Sequence, residues 1–255
     1  MKNFLFSIIL IILTLSSAHA HFALVLPSDN IISPDETKQL EIEVKFVHPF
    51  EGFYMDMKKP RQFGLLRGGQ RIDLLDTLEE ATSHEKRVWR TKYRIRRPGD
   101  HIFFLEPSPY WEPAEKTFII HYTKVVVGAL GLEDGWHAEV GLPVEIIPLT
   151  RPYGLWSGNV FQGIVRRNGS PVPFASIEVE YYNSSGKVKA PAFTFITQTI
   201  RADSDGVFTY AMPREGWWGF AALMEADYTI KREGKDYPVE LGAVIWVHAH
   251  SMSDR

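Results

Sequence analysis

The sequence contains no cysteine. That absence excludes disulfides, thiolate metal sites and thiol catalysis, and leaves nitrogen and oxygen donors, with thioether help at most, for any metal. It contains no H-E-x-x-H helix, no G-x-S-x-G elbow, no P-loop and no dinucleotide fingerprint, so the common hydrolase and nucleotide-binding classes have no support. No basic block interleaves with aromatics, and the net charge of −3 gives a nucleic acid nothing to bind. Apolar runs are short. The longest, Phe4 to Leu15, falls below the ~20 residues needed to span a bilayer. Helical periodicity is scarce, and only Asp73 to Ser83 has the spacing for a turn or two of helix.

What is present begins with that apolar run. Lys2 precedes it and Ser16-Ser17-Ala18-His19-Ala20 follows, the small-x-small pattern of a signal-peptidase site. Cleavage after Ala20 is therefore expected, exporting a soluble chain with no transmembrane segment to the periplasm by the Sec route. His21 becomes the new N-terminus, with a free α-amine beside an imidazole. These titrate near ~8 and ~6.5, so both are available as neutral donors around neutral pH. Two nitrogens on one residue chelate a borderline divalent metal such as Ni²⁺ or Cu²⁺. The plain alternative is that any residue can follow a cleavage site.

The rest reads as β-strand. Leu40 to Val47 and Val88 to Ile95 alternate apolar and polar, and Phe118 to Val127 is a long β-branched run. After Thr150-Arg151-Pro152-Tyr153-Gly154 the pattern changes to short strands with tight turns: Asn159 to Val165, a turn at Asn168-Gly169, Ala175 to Tyr182, and Asp203-Ser204-Asp205-Gly206 entering Val207 to Tyr210. This spacing indicates a small Greek-key sandwich and resembles the prealbumin-like and carboxypeptidase-regulatory-like modules. The expected fold is all-β, with two β-sandwich domains, immunoglobulin-like and prealbumin-like, in tandem. The divisions are a signal peptide at 1–20, a metal-binding sandwich at 21–150 and a second sandwich at 151–255. Asp203 and Asp205 resemble the start of a calcium loop, but the later glutamate is missing and a hairpin turn explains them better.

His48 ends an alternating strand before the turn Pro49-Phe50-Glu51-Gly52, where an N-terminal residue could reach it at a solvent-facing edge. Met55 and Met57 either add thioether donors or fill the core. His121 has apolar neighbours, the setting of a hydrogen-bonded core histidine. His248 and His250 share one face of the last strand. The stiff stretch from Pro107 to Glu115 is too proline-rich for a central strand and either lines a cleft or caps a sandwich. Gly216-Trp217-Trp218-Gly219-Phe220 is read chiefly as packing.

Taken together, His21, His48-Pro49-Phe50-Glu51-Gly52, Glu106 to Glu115, His121-Tyr122-Thr123-Lys124-Val125, Pro148 to Trp156 and Gly216 to Leu223 resemble one family. It is the periplasmic component associated with nickel and cobalt uptake systems, otherwise filed as a bacterial domain of unknown function. The resemblance runs over nearly the whole exported chain. It implies a non-enzymatic carrier that captures Ni²⁺, or alternatively Co²⁺ or Cu²⁺, and delivers it to a membrane metal permease. Carried over by position, the ligands are His21 and His48, with Glu51, Glu115 and His121 as weaker candidates. Two other classes fit an N-terminal histidine on a β-sandwich: a periplasmic copper carrier, and a copper monooxygenase acting on polysaccharide through a histidine brace.

Overall fold

A computed structural model describes residues 21–252. The expected signal peptide lies outside the described residues. The rest is built of strands in packed sheets, the β-sandwich architecture that the alternation predicts.

Three layers stack. The first sheet has the order Phe22–Pro27, Gln39–His48, Lys86–Arg94, Glu79–Ser83, with Phe53–Met55 as a hairpin on the second of these. The long middle sheet runs Gln198–Arg201, Ser176–Tyr181, Gly216–Glu225, Val239–His250, Thr117–Ala129, His101–Glu106, Gln62–Arg67, Gln70–Asp73. The third sheet centres on Val160–Arg167, flanked by Val144–Pro148 and Val207–Ala211.

The two longest strands of the middle sheet, Thr117–Ala129 and Val239–His250, explain the architecture. They pair in parallel, with Phe118 opposite Val239 and Val125 opposite Trp246. Successive side chains of a strand point to opposite faces. Ile119, Val125 and Val127, with Val244 and Trp246, therefore join the core beneath the first sheet. Phe118, Ile120 and Val126, with Leu241, Ala243, Ile245 and Val247, join the core beneath the third. A strand covered on both faces loses its polar alternation, and residues 118–127 are mostly apolar on both faces, interrupted by His121, Thr123 and Lys124.

The expected division near 150–157 falls between Val144–Pro148 and Val160–Arg167, which pair with each other in one sheet. Parallel pairing across that point also joins the final strand to the first segment. The two sandwiches thus share strands, and the middle layer serves both.

Most of the stretch read as possible helix is extended, forming Glu79–Ser83, and only Leu75–Thr77 makes a 3-10 turn. Asp203 to Gly206 is a tight turn: Asp203 Oδ1 accepts the backbone N–H of Asp205 and Val207, and Gly206 takes a positive φ of 78°. Met55 and Met57 are buried in the first core, so they fill space there.

Candidate metal centre

Antiparallel register brings the first two histidines together. Phe22 stands opposite Val47, so His21 falls opposite His48 one step further along the ladder. Their rings meet edge to face, with centroids 4.5 Å apart. His48 is not the rim residue expected from the sequence. It is buried, because the Phe53–Met55 hairpin pairs against its strand on the other side and Phe53 covers the ring. His48 Nδ1 lies 3.6 Å from Glu51 Oε2 across the turn.

The middle sheet brings up a second set of groups. Tyr110–Glu112, inside the proline-rich stretch, is a short strand at the border of the sheet, paired with Thr117–Ile119. Alternation turns Tyr110 and Glu112 toward the first sheet and Trp111 away. Glu112 Oε2 then sits 3.0 Å from His21 Nε2, and Tyr110 packs on Phe46. His121 faces the same way from Thr117–Ala129, edge-on to Phe46 at 5.9 Å, and its Nε2 lies 3.2 Å from Glu240 Oε1. It is fully buried, and its Nδ1 has no hydrogen-bond partner. Ile177 and Val179 point into the other core, which leaves Glu178 and Glu180 on this face too.

All five residues read from the sequence therefore gather where the first sheet meets the middle one. His21 and His48 touch, Glu51 contacts His48, and His121 lies close enough for its charge to act on His21. Glu115 is exposed at the margin and feels the charges of Glu240 and Glu112. The sequence reading placed Glu112 only within a stretch that lines a cleft or caps a sandwich, and missed Glu240, Glu178 and Glu180. The alternation of Glu178 and Glu180 within Ser176–Tyr181 was a visible signal for two of them. A cavity of about 250 Å³ adjoins the cluster, lined by Phe46, Met57, Tyr110, Ile119 and His121, with the Pro107–Trp111 stretch as one wall.

The electrostatics are those of a crowded polar pocket. Burial, and then the charge of His121, hold the His21 imidazole below its usual value, against the pull of Glu112 and Glu240. Burial pushes Glu178 up to about 7, helped by the charges of Glu240 and Glu115. Burial likewise pushes Glu180 up to about 8, although Thr197 and the Phe50 N–H both hydrogen-bond to it. Burial also raises Glu240, but the hydrogen bond and charge of His121 outweigh it and leave this carboxyl below its usual range.

The donor chemistry suits a borderline divalent cation: three imidazoles with carboxylates beside them. A positive ion there would relieve the mutual repulsion of Glu115, Glu178 and Glu240. The groups are not gathered into a finished cage, however. Among the described residues no three His, Cys, Asp or Glu side chains are placed to hold a metal between them. They stand as histidine–carboxylate pairs. Such a pair fixes one ring nitrogen and directs the other, as metal-binding histidines require. With Glu112 on Nε2, the remaining nitrogen of His21 is Nδ1, the one that can close a chelate ring with the α-nitrogen.

His121 lies flat against the neighbouring strand because its register partner is glycine. A Cβ at Gly242 would come within 2.4 Å of His121 Cδ2 and 2.8 Å of Nε2. Gly242→Ala is therefore expected to push the ring off Glu240 at a cost of about 1–3 kcal/mol. Ring ¹⁵N chemical shifts of His121 together with a urea melt check this. An unmoved ring and unchanged stability would show that the glycine is not what seats it.

Over residues 18–226 the sequence matches the family described as Domain of unknown function (DUF4198). No curated protein matches it. Among solved structures it is similar to the D0-D1 domain of intimin, at 10% identity over 88% of this chain and 99% of that one, with a TM-score of 0.27. It is also similar to alpha-2-macroglobulin from Escherichia coli, at 7% identity over 89% and 16% of the two chains, TM-score 0.27. The Yersinia pseudotuberculosis adhesin InvE matches at 10% identity over 87% and 58%, TM-score 0.25. Likenesses this remote have no bearing on the chemistry of the site.

Proposed function

The chain belongs to the domain-of-unknown-function family DUF4198, and we propose that it is an exported, non-enzymatic carrier that captures nickel, or alternatively cobalt, and hands it to a membrane metal permease. The observation that carries this reading is the meeting of His21, His48 and His121 with Glu112 and Glu240, drawn from strands far apart in sequence. Buried polar groups are costly to assemble without a use for them. Cleavage after Ala20 adds the α-amine of His21 to the donors. No helix among the described residues is long and apolar enough to cross a membrane; in this reading a separate membrane permease receives the metal. Copper remains the competing cargo, since it binds most nitrogen and oxygen sites more tightly than nickel does.

In this mechanism the chain's own residues have distinct tasks. Glu112 holds the His21 ring through Nε2. Glu240 and Gly242 seat His121, the one by a hydrogen bond and the other by leaving room. Tyr110 and Phe46 wall the site against bulk water. The neighbouring carboxylates balance the charge of the cargo. Isothermal titration of the chain beginning at His21 with Ni²⁺, Co²⁺ and Cu²⁺ under a competing chelator tests the reading. Saturable binding of nickel or cobalt, with no peroxide production by the copper-loaded protein, is expected. Peroxide release would favour the monooxygenase class instead.

The pH dependence has a definite sign. Protons compete with the metal for imidazole, so affinity falls as pH falls. Because the His21 imidazole lies below its ordinary 6.5, its share of the loss should begin at a lower pH than for an exposed histidine. Glu178 and Glu180, at about 7 and about 8, are partly protonated at neutral pH, and a nearby cation drives those protons off. Titrations at pH 7 in buffers of different ionisation heat should show net proton release. Proton-neutral binding would mean that the metal takes neither the α-amine, which titrates near ~8, nor a place beside these carboxylates.

A further inference from the structure

The other end of the strand that carries Glu240 holds a second pair of histidines. His248 and His250 lie two residues apart on Val239–His250, so their side chains share the face that also carries Val244 and Trp246. Their rings stand with centroids 4.4 Å apart, and His248 Nδ1 is 3.2 Å from His250 Nε2. Two nitrogens bound at ~2.0–2.1 Å to one metal, at an angle between square and tetrahedral, lie roughly 2.9–3.4 Å apart. The pair already has that spacing. Asn30, buried in the loop before Ile31–Ile32, presents its Oδ1 at 3.2 Å from His250 Nε2, while its Nδ2 has no hydrogen-bond partner. The carboxylates of Asp29 and Glu215 act on His248 by charge. Both rings are half-buried, fixed by the strand yet open to exchange with solvent.

We propose that His248 and His250 form a second cation site that takes a borderline divalent metal through two ring nitrogens, with Asn30 Oδ1 as an oxygen donor beside them. His121 of the His21 cluster pairs with Gly242, and the six residues from Gly242 to His248 span roughly 20 Å of strand, so one ion cannot serve both sites. In the apo pair one ring proton lies in the contact between His248 Nδ1 and His250 Nε2. Binding the metal displaces that proton to solvent or to the far nitrogen of the same ring. The proposal stands independently of nickel capture at His21.

Trp217 reports on the site, because its ring lies 5.0 Å from that of His248. The probe is NiCl₂, which quenches nearby indole emission, titrated into the chain beginning at His21. The component of quenching that disappears in Trp217→Phe belongs to this site. It should saturate in the parent chain and in a chain carrying one extra residue ahead of His21. In His248→Ala and in His250→Ala its midpoint should rise more than about 10-fold, with circular dichroism melts confirming that both variants fold. Trp217-dependent quenching that survives both substitutions overturns the proposal, as does its absence from the parent chain. Loss of that quenching in the extended chain also overturns it, by assigning the metal to the His21 cluster. Failure of nickel to bind at His21 while the Trp217 signal persists would leave this site standing and remove the carrier reading.

Discussion

A single residue left ahead of His21 is expected to lower Ni²⁺ affinity at the His21 cluster more than about 100-fold, beyond what losing an outer-shell partner costs. The chain would differ in nothing else. An α-amine is a strong neutral donor near its pKa of ~8, whereas an amide nitrogen donates poorly unless deprotonated. Glu112 already engages Nε2 of His21 at 3.0 Å, so the useful ring nitrogen is Nδ1, and its chelate partner is the α-nitrogen. His21→Ala should match the extended chain, because either change removes the chelate. Circular dichroism should show both variants folded, since Phe22 onward is held by pairing with Gln39–His48. Calorimetry in one buffer at fixed pH reads the loss, and equal affinity for all three chains would take His21 out of the site.

The largest expected change in stability lies on the opposite face of the middle sheet. Lys124 is fully buried, and its Nζ meets Glu145 Oε1 at 2.7 Å. Glu145 also accepts the backbone N–H of Val140, Gly141 and Leu142, so it closes the turn that leads into Val144–Pro148. Glu145→Ala leaves a buried ammonium without its partner and three amides without an acceptor. Removing one member of a buried pair costs about 3–5 kcal/mol, and urea denaturation should read a loss in that range. Lys124→Met should cost less, because the carboxylate keeps its three amide donors and the apolar stem is replaced in kind. Burial holds the Lys124 pKa below its usual value. Its contribution to stability is thus greatest where the unfolded lysine is neutral as well, and the charge penalty grows as pH falls below the unfolded value near 10.4. Equal losses from the two substitutions would show that the amides contribute little.

The strands were readable because their side chains obey one rule. Leu40, Ile42, Val44 and Phe46 alternate with polar residues, and the first core receives all four. The run 118–127 lacks alternation because layers cover both its faces. His21 and His48 were legible as partners because one antiparallel step relates them. Burial of His48 was not, since it depends on the Phe53–Met55 hairpin folding back over it. Glu240 gave no signal at all. It reaches His121 only through the parallel pairing of strands 119 positions apart, and no local pattern encodes which distant strand a buried one will choose. The sharing of the middle sheet by both halves was hidden for the same reason. In the tryptophan pair the local pattern resolved only in part: Trp218 packs into the second core, while Trp217 turns to His248.

The central claim is that a borderline metal binds at His21 together with its neighbouring histidines. Crystals of the chain beginning at His21, soaked in nickel and measured at the nickel absorption edge, test it most directly. The account predicts an anomalous peak within about 2.1 Å of a His21 nitrogen, with His48 or His121 as a further ligand and Glu112 still on the outer side of the ring. A peak confined to His248 and His250, or a map with no peak at His21, would contradict it.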